Sequence, residues 1–217
     1  MNINNNYVKL RPGHVFQMFK TGPGPNYNLE YVSSRYDQYK TGDAMSELRY
    51  NLIKFIIGNF ETICDYGYGN GNFLKYCASK GHECFGYDIS NYPLPESCKR
   101  IYNQASIETD VLTFFDSLEH IHESDLVSFL KSKKVKYLVI SVPHYHESLG
   151  FEWFIDWKHR RPNEHFHHFD THGLKSLLQE SGYEVIYIGN DEDKIRLPSG
   201  NTTNILTMIG KNELYNT

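Results

Sequence analysis

Residues 61–73 read Glu61-Thr62-Ile63-Cys64-Asp65-Tyr66-Gly67-Tyr68-Gly69-Asn70-Gly71-Asn72-Phe73. An apolar run stops at an acid, three glycines follow at alternate positions, and a helical pattern begins. Glycines let a backbone turn tightly and let a ligand lie against it, and a helix start offers free N–H groups. The stretch therefore predicts a strand over Glu61–Tyr66, a ligand-binding turn, and a helix over Gly71–Ser79 with Phe73, Leu74 and Ala78 on its apolar side. A dinucleotide fingerprint needs a third glycine at position 72, where this chain has Asn72. Asp65, placed just before the first glycine, would repel a pyrophosphate but suits a cationic ligand.

The pattern repeats outward. Met45 to Ile57 carries Leu48, Leu52, Phe55 and Ile56 at helical spacing, and Gly58 closes it. Glu83–Tyr87, Thr109–Phe115 and Lys136–Val142 read as strands, and Ser124–Lys133 as a helix. Leu174–Ser181 is a helix stopped by Gly182. Tyr183–Gly189 and Thr203–Gly210 are strands with only a polar loop between them, so they pair antiparallel. Strands apolar on both faces and alternating with helices imply a parallel sheet covered on both sides. The fold class is thus α/β: a doubly wound, mostly parallel, seven-stranded sheet whose last strand is antiparallel. The third strand, near Arg100–Asn103, must be short, because Pro93 and Pro95 break the span before it.

Composition sets limits. The chain has 217 residues, 40% of them apolar, enough to bury a core without disulfides or a structural metal. With 22 basic and 26 acidic residues the net charge is −4, which argues against nucleic acid as a partner. The polar start, without a basic segment and apolar run, does not read as a signal peptide, and no apolar stretch is long enough to span a membrane. The four cysteines have no C-x-x-C spacing and read as reduced core thiols of a cytoplasmic protein. Residues 1–44 hold Arg11-Pro12-Gly13 and Gly22-Pro23-Gly24-Pro25, which break regular structure, and seven aromatic residues from Tyr7 to Tyr39. They read as an aromatic arm or lid, leaving residues 45–217 as the main domain.

Asp88 ends the strand after the glycine turn. A carboxylate at this point of a doubly wound fold accepts hydrogen bonds from a ribose diol. An acid, a glycine turn and a ribose-binding acid together suit S-adenosylmethionine, which carries an ammonium, a sulfonium and an adenosine.

Asp65-Tyr66-Gly67-Tyr68-Gly69-Asn70-Gly71 resembles the first motif of class I S-adenosylmethionine-dependent methyltransferases, and Asp88 falls where that family has its second acidic motif. Phe115-Asp116-Ser117-Leu118-Glu119-His120-Ile121 and Val139-Ile140-Ser141-Val142-Pro143 resemble stretches of its ubiquinone-biosynthesis-like small-molecule branch. So does Pro162-Asn163-Glu164-His165-Phe166-His167-His168-Phe169, followed by Leu174 and Gly182-Tyr183-Glu184-Val185. The resemblance covers roughly residues 45–210 and implies S-adenosylmethionine as cofactor. It implies donor contacts at Asp65, Gly67, Tyr68, Gly69, Asp88, Ile89 and Asp116, with Arg35 on the donor carboxylate. Adenine contacts would fall near Gln104–Ile107. The acceptor is a small molecule, with a sugar or quinone-like hydroxyl the first choice. Ser141-Val142-Pro143-His144 lacks the pattern that marks amino methyltransferases of nucleic acids.

Seven histidines lie between 144 and 172: His144, His146, His159, His165, His167, His168 and His172. Because they follow strands, His120 and His144 are the candidate catalytic bases. A metal site from His144-x-His146, or from His165 with Glu164, matches no regular ligand spacing, so no metal is expected. The other histidines read as loop residues or hydrogen-bonded core imidazoles. Trp153, Phe154 and Trp157 read as core, or alternatively as an acceptor pocket. Lys158-His159-Arg160-Arg161 reads as a solvated face or an anion contact. Two functional rivals remain: a protein of this fold that binds cofactor or a partner without turnover, and an NAD-dependent oxidoreductase.

Overall fold

Along the strand Glu108–Phe115, Leu112 and Phe114 face one apolar cluster, while Val111 and Phe115 face another. A strand buried on both faces needs cover on both, which fixes a three-layer arrangement. The computed structural model describes residues 6–28, 30, 31, 34, 42–90, 92–198 and 200–216.

The elements are β1 (Tyr7–Arg11), β2 (His14–Gln17), α1 (Gly42–Ile57), β3 (Thr62–Tyr66), α2 (Asn72–Ser79), β4 (Glu83–Tyr87) and β5 (Cys98–Arg100). They continue with β6 (Glu108–Phe115), α3 (Leu126–Lys131), β7 (Lys134–Pro143), α4 (Gly150–Asp156), β8 (His167–Phe169), α5 (Thr171–Glu180), β9 (Tyr183–Gly189) and β10 (Ile205–Asn212).

Seven strands form the main sheet in the order β5-β4-β3-β6-β7-β10-β9. The first five in that order run parallel, and β10 is antiparallel to both β7 and β9. The fold class read from the sequence is the observed one. Helices α1 and α2 cover one face, through Tyr50, Ile53, Phe73, Leu74 and Cys77. Helices α3 and α5 cover the other, through Leu126, Leu130, Leu174, Leu177 and Leu178. Each fully buried Leu or Phe of these layers stabilises the fold by about 1.5–3 kcal/mol. Cys64, Cys77 and Cys84 are buried free thiols. Among the described residues no helix is long and apolar enough to cross a membrane.

Three local details differ from the sequence reading. Strand β5 lies at Cys98–Arg100, earlier than expected, because Ile101 N–H donates to the Gly86 carbonyl (2.8 Å) and Arg100 ends the pairing with β4. The segment after β7, read as irregular, contains α4 and β8. The breaker Arg11-Pro12-Gly13 is the turn of a hairpin: β1 and β2 pair antiparallel, and β2 pairs with β8. This small sheet is joined to the main one where His144 bridges Phe169. Its own core holds Tyr7, Val15, Tyr145 and Phe154, with Trp153 and Trp157 packed against it. The tryptophans are therefore packing residues, and they do not line the cleft described below.

The hairpin turn rests on the start of α5. Asp170 caps that helix by accepting from Gly173 N–H (2.8 Å), and Asp170 N–H donates to the Gly13 carbonyl (2.8 Å). A Cβ on Gly173 would lie 2.1 Å from that carbonyl oxygen, so only glycine lets the two backbones meet. Gly173→Ala, which in an exposed helix would stabilise by up to about 1 kcal/mol, is expected here to destabilise by about 1–3 kcal/mol through forced separation of hairpin and helix. Urea denaturation measures it; an unchanged or raised midpoint would show that the contact is not needed.

Candidate functional site

At the carboxyl ends of the parallel strands, where strand order reverses between β3 and β6, a cleft of about 460 Å³ opens. This is the expected ligand position in an open α/β sheet. Its floor is the turn from β3 into α2. Gly67, Gly69 and Gly71 all have positive φ (81°, 55° and 72°). Gly67 faces Ser117 so closely that a Cβ would lie 2.7 Å from the serine Cβ. The turn is thus pressed flat against the end of β6, and the cleft stays open above it.

Asp88 locks this turn to β4. Its Oδ2 accepts from Gly69 N–H (2.9 Å) and its Oδ1 from Ser90 N–H (2.7 Å). Each oxygen keeps a further lone pair, since a carboxylate has about four acceptor sites. Asp65 lies beneath the turn, 4% exposed, on the same sheet face as Thr113, whose hydroxyl donates to Asp65 Oδ1 (2.6 Å). Burial pushes the Asp65 acid up to about 6, against the opposing pull of that hydroxyl and of Arg49. A cation bound above it would hold it ionised. Ile89, 70% exposed, and Tyr68 also line the cleft. Tyr66, Phe129 and Gln104 form the flat side beside them, where Tyr66 OH donates to Gln104 Oε1 (2.6 Å).

The far wall is ionic. Arg49 from α1 grips Glu192 with two hydrogen bonds (2.8 and 2.9 Å), and Arg196 reaches Glu192 (3.3 Å) and Asp116 (2.6 Å). Asp116 sits at φ +51°, a left-handed conformation that turns its carboxylate toward Arg196. Burial raises the Asp116 acid, but the two guanidiniums outweigh it and hold it below the usual carboxylate range. Asp116 lines the cleft as expected, yet its Oδ2 is engaged by protein cations. Nothing in the local sequence singled out Arg49, Glu192 or Arg196, because their pairing is made only by the fold.

The remaining side carries Tyr27, Tyr31, His120, His159, Arg161, Glu164 and His165. Tyr27 OH is 2.9 Å from His120 Nδ1. Tyr31 OH donates to Glu164 Oε1 (3.2 Å), which also accepts from Arg161 (3.2 Å). His120 is thus where the sequence placed it. His144 is not: it lies outside the cleft lining, with Nδ1 2.6 Å from the Thr203 hydroxyl and Nε2 3.3 Å from the Thr171 hydroxyl. Its backbone bridge to Phe169 turns the chain away after Pro143, and burial drives its imidazole down to about 4. His167 and His168 are likewise buried in β8, with imidazoles pushed down to about 3 by burial. Arg35, expected on the donor carboxylate, lies outside the described residues.

Comparison with known proteins agrees with this geometry. The sequence profile of the methyltransferase domain matches residues 35–188. No match was found among curated protein sequences. Among solved structures, the chain is similar to the 1,6-didemethyltoxoflavin N1-methyltransferase of Burkholderia thailandensis, bound to its substrate and S-adenosylhomocysteine. The TM-score is 0.62 at 15% identity, covering 95% of this chain and 99% of that one. An S-adenosylmethionine-dependent methyltransferase of Archaeoglobus fulgidus gives a TM-score of 0.57 at 21% identity, covering 83% and 99%. The magnesium protoporphyrin IX methyltransferase of Synechocystis, bound to S-adenosylhomocysteine, gives 0.55 at 15% identity, covering 88% and 90%. These likenesses show the shared fold, and the profile, spanning most of the chain, shows the family. The chain belongs to the methyltransferase-domain family, whose cofactor is S-adenosylmethionine.

Proposed function

We propose that this protein transfers a methyl group from S-adenosylmethionine to a small-molecule acceptor, with a hydroxyl oxygen as the reacting atom. The observation that carries the reading is the Asp88 clamp: a carboxylate held by Gly69 and Ser90 N–H groups at the rim of the cleft, with lone pairs left over. Those lone pairs suit a ribose diol. Asp65 below supplies negative charge for a cationic donor, and a buried acid strengthens such an attraction. Ile89, Tyr66 and Phe129 offer apolar surface to a base, and Gln104 a polar edge. Gly67 and Gly69 keep side chains out of the donor's space, with Tyr68 beside them. Asp116 contributes through the ionic wall that shapes this end of the cleft, rather than through a free carboxylate.

S-adenosylmethionine supplies a methyl group already activated on a sulfonium. The protein's task is then mainly to hold the two partners in line and exclude water. Tyr27 and Tyr31 would form an arm over the acceptor side. His120, His159 and His165 are the cleft imidazoles that would face the acceptor. The order of motifs like that of the ubiquinone-biosynthesis-like branch supports a small acceptor. So do the toxoflavin precursor and porphyrin acted on by two structural neighbours.

Titration calorimetry tests the reading. Wild type is expected to bind S-adenosylhomocysteine at one site, and Asp88→Ala to weaken binding by roughly 10- to 100-fold, the loss of one or two charge-assisted hydrogen bonds. Absence of binding to folded wild type, or an unaffected Asp88→Ala, would overturn it; tight binding of NADH instead would favour the oxidoreductase reading.

A further inference from the structure

Glu119 is 1% exposed, and among the described residues neither of its carboxylate oxygens has a hydrogen-bond partner. His165 is 3% exposed, and its Nδ1 has none either. Buried polar atoms are nearly always satisfied, because desolvation without a partner is costly. Two orphaned groups side by side therefore ask for an explanation. Protonating Glu119 would remove its charge but leave both oxygens without partners. Edge-to-face packing of the His120 and His165 rings, at 4.6 Å between centroids, explains the ring positions but not the carboxylate.

The three side chains converge. One donor atom each from Glu119, His120 and His165 lies within 4.8 Å of the others. Small rotations bring such a set onto bonds of about 2.0–2.2 Å to one ion. Glu119 Oε1 lies 4.0 Å from His120 Nε2, too long for a hydrogen bond and right for two ligands flanking an ion. The other nitrogen of His120 is already held by Tyr27 OH, the outer-shell contact that orients a metal-bound imidazole. Asp116 and Glu164, ion-paired with Arg196 and Arg161, lie nearby. His120 and His165 line the cleft, so the remaining coordination positions open into it.

We propose that Glu119, His120 and His165 form a binding site for a divalent transition-metal ion, with an open position for a hydroxyl oxygen of the acceptor. Two imidazoles and a carboxylate suit manganese, iron, cobalt or zinc over magnesium or calcium. Ligand spacing along the chain does not reveal this site, because the third ligand arrives from a distant loop. A coordinated hydroxyl loses its proton to water more readily, because the ion stabilises the alkoxide that remains with its lone pairs. The ion thus takes over the activation expected of a histidine base. That consequence rests on the methyl-transfer reading; the ion site itself does not.

The full chain, freed of metal by chelation, is titrated with Co²⁺ and followed by visible absorption and calorimetry. One Co²⁺ per chain is expected, with Glu119→Gln and His165→Ala each weakening binding by more than about 100-fold, beyond the loss typical of an outer-shell partner. Circular dichroism confirms that the variants are folded. Should they fail to fold, spin-echo spectroscopy of Mn²⁺ on wild type reads imidazole nitrogens directly, and two are expected. No binding of Co²⁺, Mn²⁺ or Zn²⁺ to folded wild type, or binding untouched by both substitutions, would overturn the site. S-adenosylhomocysteine is titrated in parallel. Its binding without Co²⁺ binding rejects the ion site alone, and the reverse rejects the methyl-donor reading alone.

Discussion

Everything at the cleft depends on one carboxylate accepting two backbone N–H groups. Asp88 holds Gly69 from the turn after β3 and Ser90 from the segment after β4. Charge-assisted bonds of this kind are roughly twice as strong as neutral ones. Without them the glycine turn would lose its fixed relation to Asp88 and to the end of β4. The same turn is held to β4 again by Gly67 N–H on the Tyr87 carbonyl (2.7 Å), and from the other side by its close approach to Ser117. The site is thus preorganised by backbone contacts that a bound nucleoside need not rearrange.

Opposite this clamp the molecule is held by charge. Arg49, Glu192, Arg196 and Asp116 tie α1, the end of β6 and the loop after β9 into one network. Glu192 is fully buried, so it depends on its bidentate arginine, and removal of one partner would leave an uncompensated charge. The cleft therefore has a glycine-lined wall carrying Asp65 and Asp88, made by local sequence, and an ion-paired wall made by distant residues. Between them lies the cluster of Tyr27, His120, Glu164 and His165.

This division explains what could be read in advance. Strands β3, β4, β6 and β7 were legible because burial on both faces forces continuous apolar runs. The glycine turn and Asp88 were legible because their spacing is set by one strand–turn–helix–strand unit. Strand β2 was not, since His14-Val15-Phe16-Gln17 is buried throughout and carries polar ends that hydrogen-bond to other segments. His120, which follows a strand, lines the cleft. His144, which also follows a strand, does not, because a bridge to Phe169 turns its ring onto Thr203 and Thr171. The ionic wall has no local signature, because its four partners come from three separate parts of the chain: α1, the end of β6 and the loop after β9.

Hydrogen exchange read residue by residue, with and without S-adenosylhomocysteine, tests the central claim most directly. The account predicts slowed exchange at the amides of residues 67–71 and 89–90 and along Gln104–Ser106 when the nucleoside is bound. Protection confined to other parts of the chain, with the Gly69 and Ser90 amides unchanged, would contradict it.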